Sequence, residues 1–230
     1  MSERLKNDVL FVSVDGFYDV IDPAYGYSIN SHHRIDKVVE YKNILKENGY
    51  RVKLLNPLDF SDIKIPAFPY SISPKDSSYI DELDYSIFVA KYLYDYIKTE
   101  SFTHIILFQY DGFVNNFDMW DDDFLNYDFL GSSNESDITI NKDNFYSLKQ
   151  KRKGCHLNGG FSLRSKEFIE RYSNISYSDI TEMYNWSGCN NEDLIILDYV
   201  DWKKMPKDKS IINKFVGFQK NKKSFGFHKN

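Results

Sequence analysis

The stretch QYDG, residues 109–112, follows directly on the apolar run THIILF and ends it on a carboxylate and a glycine. In open α/β sheets ligands bind beyond the carboxyl ends of strands, and a carboxylate held there can bind a divalent cation that neutralises a diphosphate. Asp111 has the place for that role, and Gly112 lets the backbone approach a ligand closely. The same pair is also the ordinary composition of a turn. In HLNGGFSLRS, residues 156–165, Asn158 precedes Gly159 and Gly160, which open backbone shapes closed to other residues and leave room for a sugar-like ligand; the structural alternative is an Asn-Gly hairpin turn. CNNEDLIIL puts Glu192 and Asp193 in the first turn of an expected helix, where the dipole favours carboxylates and where either could take a proton from an attacking hydroxyl. His228, in FGFHKN, has an imidazole that reaches a metal if Phe225 and Phe227 dock the tail, and belongs to a frayed end if they do not.

The elements that must position these groups follow from hydrophobic pattern. Val9 to Val14 is an apolar run ending at Asp15 and Gly16, as a buried strand entering a loop does. In RIDKVVEYKNILKENG the positions Ile35, Val38, Val39 and Leu45 share a helical face, with Gly49 just past the end, and YRVKLL reads as a second strand. This βαβ opening predicts neighbouring parallel strands. Residues 56–78 carry four of the six prolines and read as a loop, with Ser77 or Ser78 as a cap for the helix that follows. Ile80, Leu83, Ile87, Ala90, Tyr94 and Ile97 advance by threes and fours, a helix that delivers the chain to THIILF. Beyond QYDG come an acidic loop around Trp120, a strand in YDFLG, and a polar stretch from Ser132 to Gly154 expected to be mobile and lid-like. GGFSLR predicts a strand, SKEFIERY and NNEDLIILDYV predict helices, and IINKFVGF a closing strand.

The 230 residues suit a single globular domain over 1–230. The net charge of −5 speaks against a general affinity for nucleic acid. From Lys203 to Asn230, however, nine lysines face one acid, Asp208, so this segment is a counter-charge for an anionic ligand or a peripheral contact for an anionic membrane, if not simply a solvated tail. Two cysteines, Cys155 and Cys189, make neither a disulfide framework nor a zinc site, and the expectation is a cytoplasmic protein with reduced thiols.

QYDGFVNNFDMWDDDFLNYDFLG, LNGGFSLRS, NED and FGFH, with DYSIFVAKYLYDYI before them, resemble in order the motifs of a glycosyltransferase family catalogued as a domain of unknown function. The resemblance covers roughly residues 80 to 228 and implies a GT-A-type, Rossmann-like α/β fold with a central mixed sheet flanked by helices, its nucleotide-binding half at about 1–115 and its acceptor and catalytic half at about 116–230. It implies a nucleotide-sugar donor, a UDP-sugar first among the candidates, a glycan or other hydroxyl acceptor, and Mn²⁺ or Mg²⁺. QYD stands where such enzymes carry D-x-D, so Asp111 would ligate the metal, Gln109 would turn its amide to the ribose or sugar, and His228 would complete the metal site. Asn158, Gly159 and Gly160 would line donor sugar and acceptor, and Asp193 or Glu192 would be the base of an inverting transfer, Asp193 by preference. Such an enzyme would serve polysaccharide biosynthesis. Two stretches depart from the relatives' pattern: GSSN at 131–134 in place of an aromatic-rich GAPW, and DYSIF in place of DYSRF, which removes an Arg at Ile87. The rival readings are a non-catalytic nucleotide-sugar-binding module with a degenerate site, since Gln109 departs from D-x-D, and a metal-dependent phosphohydrolase, which would need more clustered carboxylates.

Overall fold

The computed structural model describes residues 2–14, 20–22, 27–29, 31–56, 62–64, 82–133, 140–147, 149–151, 154, 156–180, 182, 191–207, 209–217 and 223–228, with the backbone alone at 20–22, 27–29, 31–34, 56, 64 and 82–84. A first helix, α1 (Glu3–Asp8), is capped by the Ser2 hydroxyl and feeds β1 (Val9–Val14). After a small hairpin, β2 (Val20–Asp22) and β3 (Tyr27–Ile29), come α2 (Ser31–Glu47), β4 (Arg51–Asn56) and β5 (Ile63–Lys64). Gly49 takes a φ of 79°, the left-handed conformation that ends α2.

β1 pairs in parallel with β4, and β4 with β5. On its other side β1 pairs in parallel with β6 (His104–Phe108), giving a central sheet in the order β5-β4-β1-β6-β9-β8 once β8 (Phe129–Ser133) and β9 (Leu157–Ser165) are added antiparallel. All six residues of β1 and all five of β6 are buried, as strands covered on both faces must be. The sheet is mixed because β9 returns antiparallel beside β6.

On the sheet, α2 packs against β4 and α5 (Lys166–Ser173) against β9, and the run of α3 (Glu82–Ile87), a π-helical turn at Phe88–Tyr92 and α4 (Leu93–Ile97) lies beside α5. The helix expected through Ile97 is thus one run with a π turn in it, and Ile87, Ala90 and Ile97 of its stripe are fully buried. Ile80 lies outside the described residues, as do Asp15, Gly16, Ser77, Ser78, Cys155 and Cys189.

Two expectations are corrected. IINKFVGF is mostly a helix, α7 below, because Ile212 and Phe215 share a helical face that packs under Phe161 and Phe225, leaving Val216 and Gly217 as a short strand. The described residues of the polar stretch before Gly154 contact the segment around Asp198 and Trp202. Phe145 is buried edge-on against Trp202 at 5.3 Å, and the Ser147 hydroxyl and Lys149 amide both donate to Asp198. The short strand β5, paired with β4, also lies within the stretch read as a loop.

The remaining elements are α6 (Glu192–Ile196), α7 (Lys209–Phe215), β10 (Val216–Gly217) and β11 (Gly226–His228). With β7 (Gly112–Val114), β10 and β11 form a second sheet in the order β10-β11-β7. Phe161, Phe215 and Phe225, all fully buried, hold it to the main sheet. No helix among the described residues is long and apolar enough to cross a membrane.

Candidate active site

Beyond Phe108 the chain turns sharply. Gln109 and Gly112 exchange both backbone hydrogen bonds, which places Tyr110 and Asp111 at the tip of a two-residue turn between β6 and β7. β11 then pairs antiparallel with β7, with His228 opposite Gly112. The Nε2 of His228 comes to 3.7 Å from Oδ1 of Asp111. That carboxylate oxygen is buried and has no hydrogen-bond partner. Tyr41, from α2, stacks face to face on Phe113 at 3.9 Å; burial first, then the charges of Glu40 and Asp111, push its phenol above its usual range. Gln109 donates from Nε2 to the Tyr85 hydroxyl at 2.8 Å.

β9 forms the floor. Leu130 pairs with Leu163 and Ser132 with Asn158, so four residues, Gly159 to Ser162, lie opposite the single Gly131 in a wide bulge. Bulges of this kind re-aim backbone and side chains beside active sites. NGG is therefore an interrupted strand and not a hairpin turn. A Cβ on Gly160 would overlap His228 Nε2 and stand 2.7 Å from Gln109 Oε1, while one on Gly159 would overlap Glu192 Oε1 and stand 2.7 Å from Arg164 Nη2. The two glycines thus separate two polar clusters, and Asn158 turns its side-chain oxygen inward to accept from the Gly160 amide at 2.8 Å.

The second cluster is the acidic pair. Glu192 and Asp193 start α6 and are both buried. Glu192 Oε1 accepts from Arg164 Nη2 at 3.0 Å, in an ion pair with almost no solvent. Asp193 Oδ2 accepts from the Gly159 amide at 3.1 Å, and its Oδ1 is buried without a partner. Burial, then the charge of Glu192, push the Asp193 carboxyl up to about 7, against the downward pull of the Gly159 hydrogen bond and Arg164.

Every candidate residue read from the sequence falls in these two clusters: Gln109, Asp111, Gly160 and His228 on one side, Gly159, Glu192 and Asp193 on the other, with Asn158 between. Among the described residues no three His, Cys, Asp or Glu side chains converge on one point. The sequence reading passed over Arg164, Tyr85 and Tyr41. An arginine inside an apolar strand is itself a signal, since a charge there needs a partner. Two lysines of the basic C-terminal segment face protein carboxylates: Lys214 pairs with Asp121 at 2.6 Å, and Lys204 with Glu167.

A mixed central sheet flanked by helices, with its polar clusters at the carboxyl end of β6, defines a GT-A-type, glycosyltransferase-like α/β fold. The chain belongs to the family described as "Protein of unknown function (DUF5672)", whose pattern matches residues 76–228. Among solved structures it is similar to the mannosyltransferase Ktr4p from S. cerevisiae, with a TM-score of 0.52 and 10% identity over 84% of this chain and 66% of that one. It is also similar to a glycosyltransferase involved in the glycosylation of the major capsid of PBCV-1, with a TM-score of 0.48 and 12% identity over 96% of this chain and 92% of that one. The likeness to the mannosyltransferase is one of fold, and this chain spans just under two thirds of that protein's length. No curated protein sequence matches the chain.

Proposed function

We propose that this chain is a metal-assisted glycosyltransferase that moves a sugar from a nucleotide-sugar donor, a UDP-sugar first among the candidates, to a hydroxyl of a glycan or similar acceptor, with inversion. The observation that carries the reading is Asp193: a buried carboxylate with one oxygen uncommitted, held beside a glycine floor whose other glycine faces Gln109 and His228. A base with a proton affinity near neutral pH is suited to take a proton in a transition state. Asp193 would accept the proton of the acceptor hydroxyl while that oxygen forms a bond to the anomeric carbon. The bond from the same carbon to the diphosphate oxygen breaks, its electron pair leaves with the nucleoside diphosphate, and a single displacement of this kind inverts the centre.

The Asp111 and His228 pair fits a divalent cation. A buried carboxylate oxygen without a partner costs about 1–3 kcal/mol, which a ligand can recover. Carboxylate oxygen and imidazole nitrogen are donors that Mn²⁺ accepts, and Mg²⁺ or Mn²⁺ held by few protein ligands keeps positions for substrate phosphates. Bound there, the ion would neutralise charge on the diphosphate. Gln109, its Nε2 tied to Tyr85, presents Oε1 toward Gly160, where a donor hydroxyl could reach it. The missing Cβ atoms at 159 and 160 let Glu192 and Arg164 on one side, and His228 and Gln109 on the other, come close against the strand.

A panel of nucleotide sugars screened by thermal shift, each with and without Mn²⁺, tests the reading. A ligand that binds the folded state raises the melting point, by an amount that grows with the logarithm of its concentration over Kd. The expected result is a shift for one nucleotide sugar in the presence of Mn²⁺, followed by detectable transfer or slow hydrolysis of that donor. Binding without any turnover would favour the non-catalytic module, and no metal-dependent shift with any donor would overturn the proposal.

A further inference from the structure

We propose that Arg164 is the positioning residue that divides labour between the two adjacent carboxylates, holding Glu192 as a fixed anion and shaping the Gly159 bulge so that Asp193 keeps one oxygen for the reacting proton. The inference rests on Asp193 being the base, and it names the residue that makes it so.

Arg164 is fully buried and each arm of its guanidinium is occupied. Nη2 donates to Glu192 Oε1 at 3.0 Å and reaches Gly159 O at 3.5 Å, Nε donates to Ser162 Oγ at 3.1 Å, and Nη1 reaches the Tyr172 hydroxyl at 3.4 Å. Ser162 in turn donates to Gly159 O at 2.8 Å. The carbonyl of Gly159 is therefore held by Arg164 and Ser162, while the amide of the same residue donates to Asp193 Oδ2. One residue thus receives the arginine on its carbonyl side and the base on its amide side.

The same geometry disqualifies Glu192 from the proton transfer. Protonating it would neutralise the partner of a buried guanidinium and leave that charge uncompensated, which is among the most costly defects a core can hold. Asp193 has no such tie. The elements packed on α6 are α3, the π-helical turn, β9 and the 3₁₀ turn at Leu197–Tyr199. Their described titratable groups are Tyr85, Lys91, Tyr92, Arg164, Asp198 and Tyr199, with Tyr172 of α5 behind Arg164. The groups whose charge acts on Asp193 are Glu192, upward, and Arg164, downward.

The test reads Asp193 directly and needs no donor. Protein labelled with ¹³C at aspartate side-chain carboxyls is titrated by NMR, with the Asp193 resonance assigned by its absence in Asp193→Asn. In Glu192→Gln the midpoint should fall and in Arg164→Gln it should rise, each by on the order of one pH unit, as expected for loss of a charge a few ångströms away. The double variant should return close to the wild-type midpoint, and Arg164→Lys should lie between wild type and Arg164→Gln. If Arg164→Gln does not fold, Glu192→Gln and the double variant decide. Unchanged midpoints, or shifts of the same sign in both single variants, would overturn the assignment. A chain that binds no nucleotide sugar would sink the transfer reading and leave this titration untouched, so the two failures are distinguishable.

Discussion

Replacing the buried carboxylate of Asp193, the proposed base, by its neutral isostere in Asp193→Asn should make the protein more stable, and more so as the pH rises. In the folded chain the carboxyl is pushed from its ordinary 3.8 up to about 7 by burial and by Glu192. The folded state therefore holds a proton that the unfolded state has released. The stability associated with this group is complete below pH 3.8, declines as the pH rises, and is lost above about 7. A displacement of that size corresponds to a ceiling of roughly 4 kcal/mol, at about 1.4 kcal/mol per pH unit. Asn places an amide N–H where Oδ1 had no partner, at a cost of about 1–3 kcal/mol, so a net gain of roughly 2 kcal/mol above pH 7 is expected. For a chain of this size that is a rise in melting point of about 4–8 °C. The assay is a set of melting curves for both proteins from pH 4 to pH 8. His104 complicates the raw curve, because burial pulls its imidazole down to about 4 and its contribution is lost as the pH falls, the opposite slope. The difference between variant and wild type removes that common term. A difference that stays flat from pH 4 to 8, or narrows toward high pH, would refute the reasoning.

Gly160→Ala should fold, with a melting point a few degrees lower, and should lose any Mn²⁺-dependent thermal shift, because the new methyl overlaps His228 Nε2; a variant that keeps the full shift would show that His228 plays no part in binding. Asp128 is fully buried and accepts from Ser165 Oγ at 2.7 Å, from the Asp201 amide at 3.2 Å and from Arg171. Asp128→Ala should cost about 3–5 kcal/mol in urea unfolding, as expected when a buried charge network is broken, and a loss below about 1 kcal/mol would show that the network does not tie β8, α5 and the segment after α6 together.

The core strands were legible because their signal is local. VLFVSV and HIILF are unbroken apolar runs, and a strand buried on both faces must read that way. IINKFV was misread for a related reason: adjacent Ile residues with Phe and Val match a short buried strand as well as one turn of helix, and tertiary packing decided the matter. Asp111, Asn158 to Gly160, Glu192, Asp193 and His228 stood out by type and by family motif. Which carboxylate is committed could not be read, because the commitment depends on Arg164 crossing from β9 to α6. The bulge was equally hidden, since nothing in LNGGFSLRS says that four of its residues must pass opposite one.

Asp111 and His228 meet across about half the length of the chain, and the contact is made by a strand of three residues. Closing so long a loop is entropically slow and brings few hydrogen bonds of its own, whereas β1, β4 and β6 have many neighbours and need no help from the tail. Refolding should then pass through a form whose main sheet is complete while the corner between Asp111 and His228 is still open. A fluorescence signal from the sheet should lead a cobalt-binding signal from the corner. In that sense β11 acts as a latch: the scaffold is assembled first, and the Asp111–His228 contact closes upon it.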